Sequence, residues 1–191
     1  MAFQTSTRSG GRLRALAVTA LVLAAAGPAA QAGERGRPAA CAGSDAEPRI
    51  ASVRAVRSTT LCLINAERSR RGLHRLRFDR RLARLAGRHA WDMVRRDYFS
   101  HETPDGRSLR ERVVRSSYAR NRDRRWRVGE NLAWGRSTTA RPSAIVAAWM
   151  RSRSHRRLIL SRRYRDIGVA VVRRAPNDGA GATYVANFGA R

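Results

Sequence analysis

Asp166-Ile167-Gly168-Val169-Ala170-Val171-Val172-Arg173 and Ala182-Thr183-Tyr184-Val185-Ala186-Asn187-Phe188 flank the segment Ala175-Pro176-Asn177-Asp178-Gly179-Ala180-Gly181. The two outer runs hold many β-branched residues, and the segment between them has strong turn chemistry, so an antiparallel hairpin is expected to close the chain. Before it the sequence reads as helices joined by loops. Residues 79–96 set Leu82, Leu85, Ala86, His89, Ala90 and Met93 on one stripe behind Asp79, a capping residue. Residues 50–71 carry Val53, Val56, Thr60, Leu63, Ile64 and Glu67 at helical spacing and stop at Gly72. Ser108-Leu109-Arg110-Glu111 has capping-box form and opens a short helix through Val114. Pro142-Ser143 opens another, with Ile145, Ala148 and Trp149 inward, and a helical turn follows over 155–160. Helices first and strands last define an α+β fold, with helices packed on an antiparallel sheet.

The chain has 191 residues, enough for one domain with a packed core. Its 40 basic residues are all arginine and face 14 acids, a formal charge of +26. Such a charge fits nucleic acid, an anionic membrane or wall, or plain solubility. Arginine without lysine also points to a GC-rich coding bias, which makes part of the excess compositional. Arg8, Arg12 and Arg14 precede the apolar run 15–26, which Gly27-Pro28 breaks before Ala30-Gln31-Ala32. That order predicts a signal peptide over residues 1–32, and the run is too short for a transmembrane helix. Residues 33–49 read as a flexible leader and residues 50–191 as the folded domain. Cleavage removes three arginines and lowers +26 to +23. Export to the extracellular side argues against intracellular nucleic acid as a partner and leaves envelope polyanions. Cys41 and Cys62 are the only cysteines. In an oxidising compartment a disulfide tying the leader to the first helix is expected, with two free thiols as the alternative.

Polar residues that helix and strand patterning does not explain gather in three segments: Tyr98–Gly106, Val128–Ala133 and Trp149–His155. They contain His101, Glu130 and His155. Two imidazoles and a carboxylate from separate elements can hold zinc or another divalent metal with an open position, or can seat a polar network. His89 lies on the stripe of its helix and reads as a hydrogen-bonded core histidine. Ser100 and Ser152 stand near histidines in sequence without an identified activating partner and read as structural. The chain has no nucleophile elbow and no H-E-x-x-H, so binding is expected ahead of catalysis; the enzymatic alternative is a metal-assisted hydrolase using the same three residues. The basic runs 119–127 and 151–165 read as solvated, charge-dense segments, although Trp126 is placed to stack.

The segments Leu61-Cys62-Leu63-Ile64-Asn65-Ala66-Glu67-Arg68 with Gly72-Leu73, Tyr98-Phe99-Ser100-His101, Asp105-Gly106, Arg112 and Gly129-Glu130-Asn131-Leu132-Ala133 follow one another in order. Trp149 with Ser152 and His155, then Ile167-Gly168-Val169, continue the series. The series resembles the bacterial secreted domains of the CAP superfamily, which includes the cysteine-rich secretory, antigen 5 and pathogenesis-related 1 proteins. The resemblance spans about residues 56–189 and implies a three-layer α-β-α sandwich. It also implies a surface cavity lined by His101, Glu130 and His155, in some members a zinc site, and a lipid or other envelope-derived ligand. The extra cysteines of eukaryotic members are absent.

Overall fold

The computed structural model describes residues 41–119, 125–176 and 179–191. The signal peptide expected over 1–32 and leader residues 33–40 lie outside the described residues. Residues 41–50 run in turns into helix α1, Val53–Ser69, whose cap Ser52 accepts a hydrogen bond from the Ala55 amide at 3.1 Å. Cys41 and Cys62 are joined by a disulfide with a Cα–Cα distance of 5.8 Å, which settles the choice against free thiols. Strand β1 is only Arg77–Phe78 and leads through Asp79 into α2, Arg80–Arg95; the Asp79 carboxylate accepts from the Arg81 and Leu82 amides, as a cap should. A reciprocal capping box between Ser108 and Glu111 starts α3, Leu109–Val114. Strand β2, Arg127–Gly135, precedes α4, Pro142–Arg151, and α5, Arg153–Ile159. Strands β3, Asp166–Val172, and β4, Ala182–Ala190, form the expected hairpin.

The sheet order is β1-β3-β4-β2. It differs from the expected antiparallel sheet in two ways. β1 pairs parallel to β3, so the sheet is mixed. Val128–Ala133, one of the three segments whose polar residues patterning left unexplained, lies in a strand that pairs antiparallel along the length of β4, from Arg127↔Ala190 to Gly135↔Ala182. β2 lacks a clean alternation because much of it is buried on both faces, so period two carries little contrast there.

Side chains leave the sheet alternately, and the alternation sorts the core into two. Ile167, Val169 and Val171 of β3 and Ala182, Tyr184, Ala186 and Phe188 of β4 pack with α1, α4 and α5. Ala170, Val172 and Val185 face the opposite way, onto Ala86, Ala90, Met93 and Val94 of α2. A smaller cluster of Leu82, Leu85, Val113 and Tyr118 joins α2 to α3. The architecture is therefore an α-β-α sandwich. Gly168 makes the contact with α2 possible, because a Cβ there would overlap the backbone between Leu82 and Ala83. Arg68, fully buried, donates from Nη1 to the Ile159 and Ser161 carbonyls at 2.5 and 3.0 Å and from Nε to His74 O at 2.9 Å. Burial, with the Arg165 charge, holds its pKa below the usual guanidinium value.

Candidate functional site

Glu130 is the centre of the site. It projects from β2 toward the α2–α3 layer, with its side chain only 1% exposed. Burying a carboxylate is costly unless its lone pairs are taken and its charge is met. Both conditions hold. Oε1 accepts from His101 Nδ1 at 3.0 Å and from Arg112 Nη2 at 3.0 Å. Oε2 accepts from Arg112 Nη1 at 3.1 Å, which completes a bidentate pair. Asn187 stands opposite Glu130 in the β2–β4 register. With its amide oriented to suit both neighbours, Asn187 donates to Oε2 at 3.0 Å and accepts from the Ala86 amide at 3.2 Å. Burial alone would raise the Glu130 pKa; the hydrogen bonds from His101 and Arg112, with the guanidinium charge, outweigh it and hold the carboxyl below its usual range.

His101 sits on the loop between α2 and α3, and its side chain is 56% exposed. An ionised carboxylate only accepts, so Nδ1 carries the proton toward Glu130 and, in the neutral ring, Nε2 is the lone-pair nitrogen. The same loop is pinned by Arg112, whose Nη2 donates to the His101 carbonyl at 2.6 Å. Arg112 Nε is buried and has no hydrogen-bond partner. His89 of α2 donates from Nε2 to the Ser100 carbonyl at 2.9 Å, as expected of a hydrogen-bonded core histidine, yet that nitrogen is also 3.9 Å from Glu130 Oε1. Burial depresses the His89 pKa, so the ring is neutral beside the carboxylate. Tyr98, from the same loop, donates to Asp92 at 2.6 Å; burial pushes its phenol far above the usual range. Ser100 Oγ accepts from the Glu102 amide at 3.2 Å, and Ser152 Oγ meets Ser154 Oγ at 3.1 Å; both contacts are structural.

His155 approaches from the opposite helical layer. It lies on α5, and its carbonyl accepts from Asn131 Nδ2 at 3.2 Å. β2 is an edge strand, with Glu130 and Asn131 on its two faces, so α5 and the His101 loop lie on opposite sides of it. Burial, then the positive charge that His101 can carry, lowers the His155 pKa. Among the described residues, no group of three or more His, Cys, Asp or Glu side chains is arranged to hold a metal. The lone pairs of Glu130 are taken by four donors, and a guanidinium already neutralises it. It therefore does not fit as a direct metal ligand. His101 does, with Glu130 behind it as the orienting carboxylate that metal-bound histidines commonly use.

Arg112 and Asn187 complete the carboxylate's shell, although sequence reading did not place either in the site. Arg112 was visible only as one member of an ordered motif. Asn187 is found by register, as the β4 residue directly across from Glu130.

The sequence matches the CAP family, the cysteine-rich secretory protein family, over residues 61–188. The chain belongs to that family. This CAP chain is 34% identical over 121 residues to YkwD, an uncharacterized protein of Bacillus subtilis (strain 168); the match spans 63% of this chain and 44% of YkwD. The chain thus covers less than half the length of that relative. Among solved structures it resembles an extracellular protein containing an SCP domain from Bacillus anthracis str. Ames, with a TM-score of 0.54, 25% identity, and coverage of 72% of this chain and 43% of that one. It also shares its fold with an outer surface protein of Borrelia burgdorferi, with a TM-score of 0.62, 20% identity, and coverage of 74% and 96%. These structural neighbours are extracellular or surface proteins, and no described helix of this CAP domain is long and apolar enough to cross a membrane.

Proposed function

We propose that this CAP domain is an exported binding module that takes an amphipathic, envelope-derived ligand at the His101 loop. The observation that carries the reading is the saturation of Glu130. A carboxylate whose lone pairs are taken by His101, Arg112 and Asn187 is a positioning group rather than a general base. What the site presents outward is the His101 imidazole, with Phe99 exposed two residues earlier on the same loop. One polar and one apolar group on a rigidly pinned loop suit a lipid head group and the start of its acyl chain. The test is vesicle binding by the purified chain, using phosphatidylglycerol and phosphatidylcholine vesicles. Phe99→Ala and His101→Ala should each weaken binding several-fold at unchanged melting temperature; no binding to either vesicle, or binding indifferent to both substitutions, would overturn the reading.

A second reading, zinc binding, draws on the His101–Glu130 pairing. His101 and His155 would hold the ion and leave its other positions to water or ligand, and a bound zinc would act as a Lewis acid toward an oxygen ligand. Calorimetric titration with zinc alone distinguishes it: binding lost in both His101→Ala and His155→Ala supports the site, and no uptake at neutral pH removes it, together with the metal-hydrolase alternative.

A further inference from the structure

At the β1–α2 junction, the arginines sit where elementary electrostatics would not put them. The first turn of α2 contains no acid, and Arg80, Arg81 and Arg84 follow one another from its N-terminal end. That end of a helix already carries partial positive charge, so basic residues there cost stability. The local carboxylates do not relieve them. Asp79 caps the helix with Oδ1, and its Oδ2 meets Arg191 at 3.5 Å. Asp166 is shared between Arg77 at 3.2 Å and the Tyr118 hydroxyl at 3.2 Å. Arg57, Arg80, Arg81 and Arg84 have no carboxylate partner among the described residues.

Two concavities flank β1. The larger, of about 480 Å³, is lined by Arg77, Arg81, Tyr118, Trp126, Asp166 and Arg191. The smaller, of about 270 Å³, is lined by Arg57, Phe78, Arg80 and Arg84. The larger falls in the volume range of small-ligand sites and combines aromatic walls with a few convergent polar groups. The Asp166 side chain is 9% exposed, and each of its oxygens, engaged once, keeps a lone pair. A bare phosphate pressed onto that carboxylate would be repelled; a hydroxyl would be accepted. Trp126 lines this concavity, with the Arg110 guanidinium 5.0 Å from the centre of its ring. Arg81, exposed and lining the same concavity, is suited to a phosphate.

We propose that this junction is a second binding site, sharing no residue with the His101–Glu130 set, for a phosphate-bearing glycan. A sugar hydroxyl bonds Asp166, its ring lies against Trp126, and its phosphate pairs with Arg81. In a repeating polymer, the next phosphate reaches Arg80 and Arg84 across β1. This use of the charge is more selective than general attraction to anions, because the carboxylate on the wall penalises ligands without hydroxyls.

Phosphomannan is the probe, with dephosphorylated mannan, inorganic polyphosphate and single-stranded DNA as comparisons, titrated against the full chain. Phosphomannan should bind at least tenfold tighter than the other three at physiological salt. Arg81→Gln, at an exposed position, should weaken phosphomannan binding about tenfold, and Asp166→Asn should narrow the preference over polyphosphate; His101→Ala should change neither. Polyphosphate or DNA bound as tightly as phosphomannan would reduce the site to a plain polycation and overturn the proposal. So would an Arg81→Gln protein that keeps its melting temperature and its full affinity.

Discussion

Glu130 and Arg112 form a bidentate pair with both side chains largely buried, at 1% and 10% exposure, so each depends on the other for its charge to be tolerated. Glu130→Gln keeps a hydrogen-bond acceptor but leaves the guanidinium without its anion, and it should destabilise the fold by about 3 kcal/mol. Chemical denaturation at pH 7 measures it. Among the groups whose pKa values are depressed, Glu130 and His89 are buried and carry the pH dependence of the site. Glu130's folded value lies below its unfolded one, so its contribution is complete above about pH 4.3 and is lost as pH falls through the folded value. His89 is held neutral by burial, so the unfolded chain binds its proton first, and that stability is lost as pH falls below about 6.5. Stability should therefore decline on acidification in two stages. Glu130→Gln should shrink the lower stage, to which Asp45, Asp105 and Glu111 also contribute, and should deepen the upper one by removing the charge that raises the His89 pKa; an unchanged lower stage would mean that Glu130 is not among the acid-sensitive groups.

At the scale of the element, α3 is short, Leu109–Val114, and its main task is to aim Arg112 at Glu130 and at the His101 carbonyl. Six residues do not hold a helix in isolation, so the Ser108–Glu111 box matters more here than on a long helix. Ser108→Ala should cost about 1 kcal/mol, and the His101 imidazole resonances should broaden as the loop loosens, which NMR can detect. Gly168→Ala should cost more, about 1–3 kcal/mol, because α2 must retreat from β3 and carries Ala86 and His89 with it; a melting temperature no lower than that of Ser108→Ala would contradict the close approach. The helices and the hairpin were legible because each has contrast between a buried and an open face, or a cap that announces it. β2 lacked that contrast, and β1, at two residues, has no period at all. His101 and Glu130 stood out as polar residues without a structural reason. The shell around them did not, because Arg112 and Asn187 become site residues only through the register of β2 on β4 and the direction of α3.

For the whole molecule, the disulfide and the expected export belong to one argument. The Cys41–Cys62 link closes a loop with a sequence separation of 21 and ties the turns of residues 41–50 to α1. Those turns are also held elsewhere: Ser143 Oγ donates to Asp45 at 2.6 Å and the Ser143 amide to the Ser44 carbonyl at 2.9 Å. The segment therefore staples α1 to the start of α4 along one helical layer, whereas His101 and Glu130 belong to the other. Reduction should then lower stability by about 3 kcal/mol, the loop-closure value for a crosslink of this length, while leaving the His101–Glu130 hydrogen bond in place. The bond forms only where the compartment is oxidising. Chain produced with residues 1–32 intact in a secreting host should appear outside the cell, begin at Gly33 and carry no free thiol. Chain produced without them in a reducing cytoplasm should show two thiols and the lower melting temperature, and recover the higher one on oxidation. N-terminal sequencing, thiol titration and thermal melting of the two preparations decide the matter together. Secreted protein that retains both thiols, or two preparations of equal stability, would separate the disulfide from export and remove its structural role.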